Sequence, residues 1–146
     1  MVRMVHDTRG ASSYFSTADM ITQLDFLTVD DESDINWVLE RLITRCGFRV
    51  HQARCGQEAI ELGRRHHYCG IFVDAKLPDI EGPLLIQRLR QIQISPYIIL
   101  ISGHFFPDDP TVIRAKQEGL IQGYISKPFF HKEILAVVNL IAAGYS

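Results

Sequence analysis

The stretch Gly70–Gly82, GIFVDAKLPDIEG, decides how this chain folds. After Gly70, Ile71-Phe72-Val73 is an apolar run too short for a helix and bounded like a strand buried on both faces. Asp74 ends the run, so its carboxylate sits where a strand leaves a sheet, at the rim where open α/β folds collect ligands. Pro78 and Gly82 keep the next residues from closing straight into a helix, which leaves Asp74 open to solvent. Taken alone, Asp74 would serve equally well as a helix cap or turn former.

Upstream, Leu24 to Val29 reads as a strand that ends in the acidic run Asp30-Asp31-Glu32. Three carboxylates at one strand end repel each other and call for a cation or a compensating lysine, although acids there also complement a helix dipole. Ser33 or Asp34 can cap the following helix, whose Ile35, Val38, Leu39 and Leu42 form a 3.6-period stripe closed by Gly47. Phe48 to Ala53 alternates as a second strand, and Gly56-Gln57 opens a second helix carrying Ala59, Ile60 and Leu62.

Downstream, Gly82-Pro83 starts a third helix with Leu85, Ile86 and Leu89 on its inner side. Tyr97 to Ile101 is an uninterrupted apolar strand of the kind found at the centre of parallel sheets, and it runs into Ser102-Gly103. A loop from His104 to Pro110 carries Phe105 and Phe106; Asp109-Pro110 then begins a fourth helix that stops near Gly119. Gly123 to Ser126 is the last strand, followed by Lys127-Pro128-Phe129-Phe130. A final helix covers His131 to Ala142, with Ile134, Leu135, Val138 and Ile141 inward.

Five short strands alternating with five helices imply an α/β, doubly wound parallel sheet in the order 2-1-3-4-5. That order brings Asp30, Asp31 and Asp74 to one rim, with Ser102 and Lys127 ending the next two strands on the same side. Residues 1–23 read as a flexible N-terminal arm ahead of a single domain over 24–146. At 146 residues, with 47% hydrophobic and 22% charged residues and a net charge of −2, the chain has an ordinary globular composition. It lacks the basic footprint of a nucleic-acid binder, and no apolar run reaches the roughly 18 residues of a membrane span. A cytoplasmic location is expected. Cys46, Cys55 and Cys69 match no zinc or redox spacing and read as reduced thiols, and His66-His67 reads as a solvated helix end.

In combination these residues resemble the receiver domain of two-component response regulators, the CheY-like (βα)5, flavodoxin-like fold. The resemblance spans about Leu24 to Leu140. It rests on Asp30-Asp31 after the first strand, Asp74 followed by Leu77-Pro78 and Gly82, Ser102-Gly103, Tyr124 and Lys127-Pro128-Phe129. It implies that Asp74 is the phosphoacceptor, taking a phosphoryl group from a histidine kinase or phosphotransfer protein. It implies Mg²⁺, with Mn²⁺ as a substitute, held by Asp30, Asp31, Asp74 and the backbone carbonyl of Lys76, an oxygen set suited to a hard cation. Lys127 would neutralise the transferring phosphoryl oxygens, and Lys127-Pro128 is a candidate cis bond.

Ser102 and Tyr124 would form the switch that carries phosphorylation to the face of the fourth helix, fifth strand and fifth helix. Expected partners are the phosphodonor, a downstream protein or attached output domain, and a second copy in a phosphorylation-dependent homodimer, with neither nucleic acid nor membrane bound by this domain. The resemblance implies a signalling module whose only reactions are slow autophosphorylation and autodephosphorylation, and no turnover enzyme. A docking domain without phosphoryl chemistry and a small phosphohydrolase are the competing functions. The first has no need of three carboxylates around one lysine, and the second lacks a substrate cap. Lys76 and His104, two residues after Asp74 and Ser102, stand at positions that in the family tune phosphoryl lifetime.

Overall fold

The computed structural model describes residues 2–6, 12–16 and 24–144. At the N-terminus β1 (Val2–His6) pairs antiparallel with β2 (Ser12–Ser16), Val2 opposite Ser16. Where the sequence suggests a flexible arm over 1–23, its described residues therefore make a backbone ladder. The composition of Ser12–Ser16, SSYFS, includes the aromatics that strands favour, a signal set aside when the segment is read by polarity alone.

From β3 onward each predicted element is present. The order is β3 (Asp25–Val29), α1 (Ser33–Arg45), β4 (Arg49–Ala53), α2 (Gly56–Arg65), β5 (Gly70–Asp74), α3 (Gly82–Ile92), β6 (Tyr97–Ser102), α4 (Pro110–Gln117), β7 (Gly123–Ser126) and α5 (His131–Ala143). The five strands from β3 form a parallel sheet ordered β4-β3-β5-β6-β7, the 2-1-3-4-5 order expected of this domain. Registers pair Val29 with Val73, Asp74 with Ile101, and Ser102 with Ser126, so the C-terminal ends of β3, β5, β6 and β7 reach one rim together.

Strand periodicity divides the core into two layers. Leu27, Val29, Ile71, Val73, Ile98 and Leu100 face α2, α3 and α4, where they meet Ala59, Leu85, Leu89 and Val112. Phe26, Phe72, Ile99 and Ile101 face the other way, onto Leu39, Ile43, Ile134, Val138 and Ile141 of α1 and α5. Phe72, central to this second layer, is fully buried, and truncating such a ring costs about 3–5 kcal/mol. A sheet packed on both faces is rigid, and side chains at its rim inherit that rigidity.

Local details refine the predicted caps. Glu32, rather than Ser33 or Asp34, is the N-cap of α1, and its side chain makes no capping bond. Gly47 lies just beyond the helix at φ +93°, a backbone conformation glycine adopts without strain. Asp109 caps α4 through the Thr111 N–H at 2.8 Å, and Pro83 and Pro110 occupy first-turn positions that need no N–H donor. The Lys127-Pro128 bond is cis.

Candidate functional site

Asp74 closes β5 at the centre of the rim, only 6% exposed. The turn after it is held by the Gly82 N–H donating to the Ala75 carbonyl at 2.8 Å, with Lys76 bridging to Glu81. Gly82 is needed for that approach, because a Cβ there would sit 2.5 Å from the Asp74 carbonyl oxygen and 2.7 Å from Ala75 Cα. The turn thus packs directly on the backbone of the strand end, and the Asp74 carboxylate, nearly buried, lines the rim cavity.

Asp30, at the end of β3, is 1% exposed, while Asp31 beside it is exposed. Its backbone is fixed from both sides: the Asp30 N–H donates to the Ala53 carbonyl at 3.1 Å, and buried Asn36 donates its side-chain amide to the carbonyls of Asp30 and Ala53 at 2.8 and 3.1 Å. The Glu32 N–H donates to Asp30 Oδ1 at 2.9 Å. Asp30, Asp31 and Asp74 each present an oxygen within 4.8 Å of the others, the one such cluster among the described residues. Three carboxylates form a hard, all-oxygen donor set that fits Mg²⁺.

Lys127 follows β7 and reaches across the rim. Its Nζ donates to Asp30 Oδ2 at 2.9 Å and Glu32 Oε1 at 3.0 Å, and lies 3.5 Å from Asp74 Oδ1. Burial alone would lower the Lys127 pKa, but its hydrogen bonds to Asp30 and Glu32 prevail and raise it. Burial pushes the Asp74 pKa up to about 6, helped by the negative charge of Asp30 and opposed by Lys127. Asp30 is raised for the same reason, against its hydrogen bonds from Lys127 and the Glu32 N–H. Lys127 leans on Asp30 and Glu32 and lies farther from Asp74, so it offsets the burial of Asp74 only in part.

The other side of the rim is built by backbone. Ser102 is fully buried, and its Oγ accepts the N–H groups of His104 and Phe105 at 2.8 and 3.2 Å. The Tyr124 hydroxyl donates to the Phe105 carbonyl and lies 3.4 Å from the Ser102 carbonyl. Of the two loop phenylalanines, Phe105 packs on the core beside Tyr124, whereas Phe106 is 73% exposed. Asp31, Glu32, Asp74, Lys76, Gly103, His104 and Lys127 line a cavity of about 300 Å³.

All seven residues singled out in the sequence, Asp30, Asp31, Asp74, Lys76, Ser102, Tyr124 and Lys127, therefore lie at one rim, Tyr124 one step behind it. Three contributors escape the sequence reading. Glu32 binds Lys127, a role hinted at only by the repulsion within the acidic run; Asn36 fixes Asp30 from inside the helix; and Phe105 links Ser102 to Tyr124 through its peptide. Asn36 acts on the carbonyls of Asp30 and Ala53, and Phe105 acts through its own backbone, contacts that residue types do not announce.

A profile of the response regulator receiver domain family matches residues 26–139. The transcriptional regulatory protein SrrA of Staphylococcus aureus is 31% identical over 117 residues, 80% of this chain and 47% of that protein. The chain thus spans about half the length of the curated relatives it matches. A response regulator from Burkholderia pseudomallei, solved with a phosphorylated aspartic acid, calcium ion and citrate, aligns at TM-score 0.71 and 29% identity over 84% of this chain and 70% of its own. The signal receiver domain of an HD domain-containing protein from Pseudomonas fluorescens Pf-5 aligns at TM-score 0.75 and 28% identity, covering 84% of this chain and 97% of its own.

Proposed function

The chain belongs to the response regulator receiver domain family, and from that premise we propose that Asp74 accepts a phosphoryl group from a phosphohistidine of a kinase or phosphotransfer protein. The convergence of Asp30, Asp31 and Asp74 on one rim, with Lys127 Nζ within 3.5 Å of Asp74, carries this function. An Asp74 carboxylate oxygen forms a bond to phosphorus as the donor's P–N bond breaks, and the electron pair leaves with the imidazole. The product is an acyl phosphate. With a pKa of about 6, Asp74 is mostly ionised at neutral pH and available as the nucleophile.

Asp30, Asp31, Asp74 and the Lys76 carbonyl are the groups that would hold Mg²⁺, or Mn²⁺ in its place. Bound there, the cation supplies charge neutralisation for phosphoryl oxygens. Lys127, 3.5 Å from Asp74 Oδ1, would supply the protein's own positive charge to the same oxygens. Asn36 and the Ala53 carbonyl hold Asp30 in place, so little reorganisation accompanies transfer.

The switch uses Ser102 and Tyr124. Turning the Ser102 hydroxyl toward a phosphoryl oxygen withdraws its Oγ from the His104 and Phe105 N–H groups, which frees the segment whose carbonyl holds Tyr124. The consequence reaches the α4-β7-α5 face, where a downstream partner or a second copy would dock. The domain acts as a single-turnover phosphoacceptor with slow self-hydrolysis, and not as a turnover enzyme.

Intact-mass measurement after incubation with Mg²⁺ and acetyl phosphate tests the assignment. A phosphoryl-sized gain in the parent and none in Asp74→Asn is expected; an equal gain in both would overturn it.

A further inference from the structure

We propose that Glu32 is a latch on Lys127: it holds the ammonium away from Asp74 in the unphosphorylated protein and must release it for phosphoryl transfer. This inference rests on the phosphoacceptor assignment of Asp74.

A lysine ammonium has three N–H donors and no more. Here three carboxylate oxygens surround it, Asp30 Oδ2 at 2.9 Å, Glu32 Oε1 at 3.0 Å and Asp74 Oδ1 at 3.5 Å. Only the first two are hydrogen bonds, so drawing Nζ onto a phosphoryl oxygen carried by Asp74 pulls against its bonds to Asp30 and Glu32, and one of them must lengthen. Asp30 is the least able to move, since it is buried, accepts the Glu32 N–H and is pinned through its backbone by Asn36. Asp74 is the acceptor itself and stays beside the phosphorus.

Glu32 is left as the contact that gives way. Its side chain is 61% exposed, so it can swing into water without leaving a buried charge unpaired. Its backbone, in contrast, is anchored: the N–H is held by Asp30, and the carbonyl accepts the N–H groups of Ile35 and Asn36 at the start of α1. Only the side chain needs to move. Until it does, Nζ sits nearer Asp30 and Glu32 than Asp74, and a negative group stands at the cavity mouth that an anionic donor must enter.

Glu32→Gln and Glu32→Asp separate the contact from the charge. Aspartate keeps the charge, is one methylene too short to reach Nζ, and is a favoured N-cap residue, so α1 is not weakened. Two readouts are needed. The first is acylation of Lys127 by an amine-reactive reagent, followed by peptide mass spectrometry with exposed Lys116 as the internal control; it makes no use of phosphorylation. The second is the rate of phosphoryl gain from acetyl phosphate, in which an Asp74 oxygen bonds to phosphorus, the P–O bond of the donor breaks, and acetate leaves with the pair.

Both variants should raise Lys127 labelling and the phosphorylation rate by about three- to fivefold, the range of a partly exposed ion pair. Unchanged Lys127 labelling in Glu32→Gln would overturn the latch, and so would a Glu32→Asp protein that behaves like the parent. Raised labelling with no phosphoryl gain in any of the three proteins would overturn the assignment of Asp74, and with it the role of the latch in transfer.

Discussion

The two sides of Asp74 are built from different materials. Toward β3, side-chain charges do the holding: Asp30 and Glu32 bind Lys127, and Asp30 is buried. Toward β6, one hydroxyl and one phenol are held by backbone groups of His104 and Phe105. The buried charges, Asp30 and Lys127, interact strongly and resist rearrangement, with exposed Glu32 the one member free to move, whereas neutral hydrogen bonds to a loop contribute about 1 kcal/mol each and are readily exchanged. The first side suits fixed catalytic groups, and the second suits a switch.

Breaking the charged side should have the largest effect. Lys127→Met leaves Asp30 buried without its cation and is expected to cost about 3 kcal/mol of stability in denaturant titration, with phosphorylation slowed roughly 10²-fold. A loss no greater than that of Ser102→Ala would erase the distinction between the two sides.

Next comes the charge on Asp74 itself. Its folded pKa, about 6, lies above the ordinary carboxylate value of 3.8, so the folded protein holds the proton more tightly than the unfolded chain. Stability is therefore lost as pH rises through the window between about 4 and 6. In EDTA at pH 7.5, Asp74→Asn should be more stable than the parent by on the order of 2 kcal/mol, and the gap should close as the pH falls toward about 4. A gap independent of pH would show that packing rather than charge sets it.

The hydrogen-bonded side should respond less. Ser102→Ala and Tyr124→Phe each remove a group bonded to the backbone of His104 or Phe105, and about 1 kcal/mol apiece is expected. Because both act on Phe105, the double variant should cost less than the sum of the singles; strict additivity would argue against the link. The smallest effect is expected at Lys76, exposed and lining the cavity. A long side chain there would shield a phosphoryl group on Asp74 from water, so Lys76→Asn should shorten the phosphoryl lifetime by about threefold, under 1 kcal/mol. An unchanged or longer lifetime would count against the shielding role.

Nearly all of the fold can be read from the sequence, because buried parallel strands announce themselves as apolar runs and each run here ends at a polar residue. Leu24–Val29, Ile71–Val73 and Tyr97–Ile101 become strands to within a residue at each end. The acids and the lysine of the site are equally readable, since strand ends dictate where they gather. The exceptions have physical causes. The β1-β2 pair is defined by its backbone ladder, and the polar composition of residues 1–23 hides it. Glu32 looks like any first-turn acid, and only the position of Lys127 diverts it from the helix to the site. Asn36 sits on the buried face of α1 in line with Leu39 and Ile43, but a polar residue there does not read as core; it is buried because two carbonyls at the ends of β3 and β4 accept its amide. The link through Phe105 runs along a peptide group, which every residue carries.

Reductive trapping of the phosphorylated protein tests the central claim most directly. Borohydride reduces an acyl phosphate, but not a free carboxylate, to an alcohol. After incubation with Mg²⁺ and acetyl phosphate, peptide mass spectrometry should find the reduced side chain at position 74 and leave Asp30, Asp31 and Glu32 unaltered. Reduction at one of those acids, or at none while a stable phosphoryl group persists on the protein, would contradict the account.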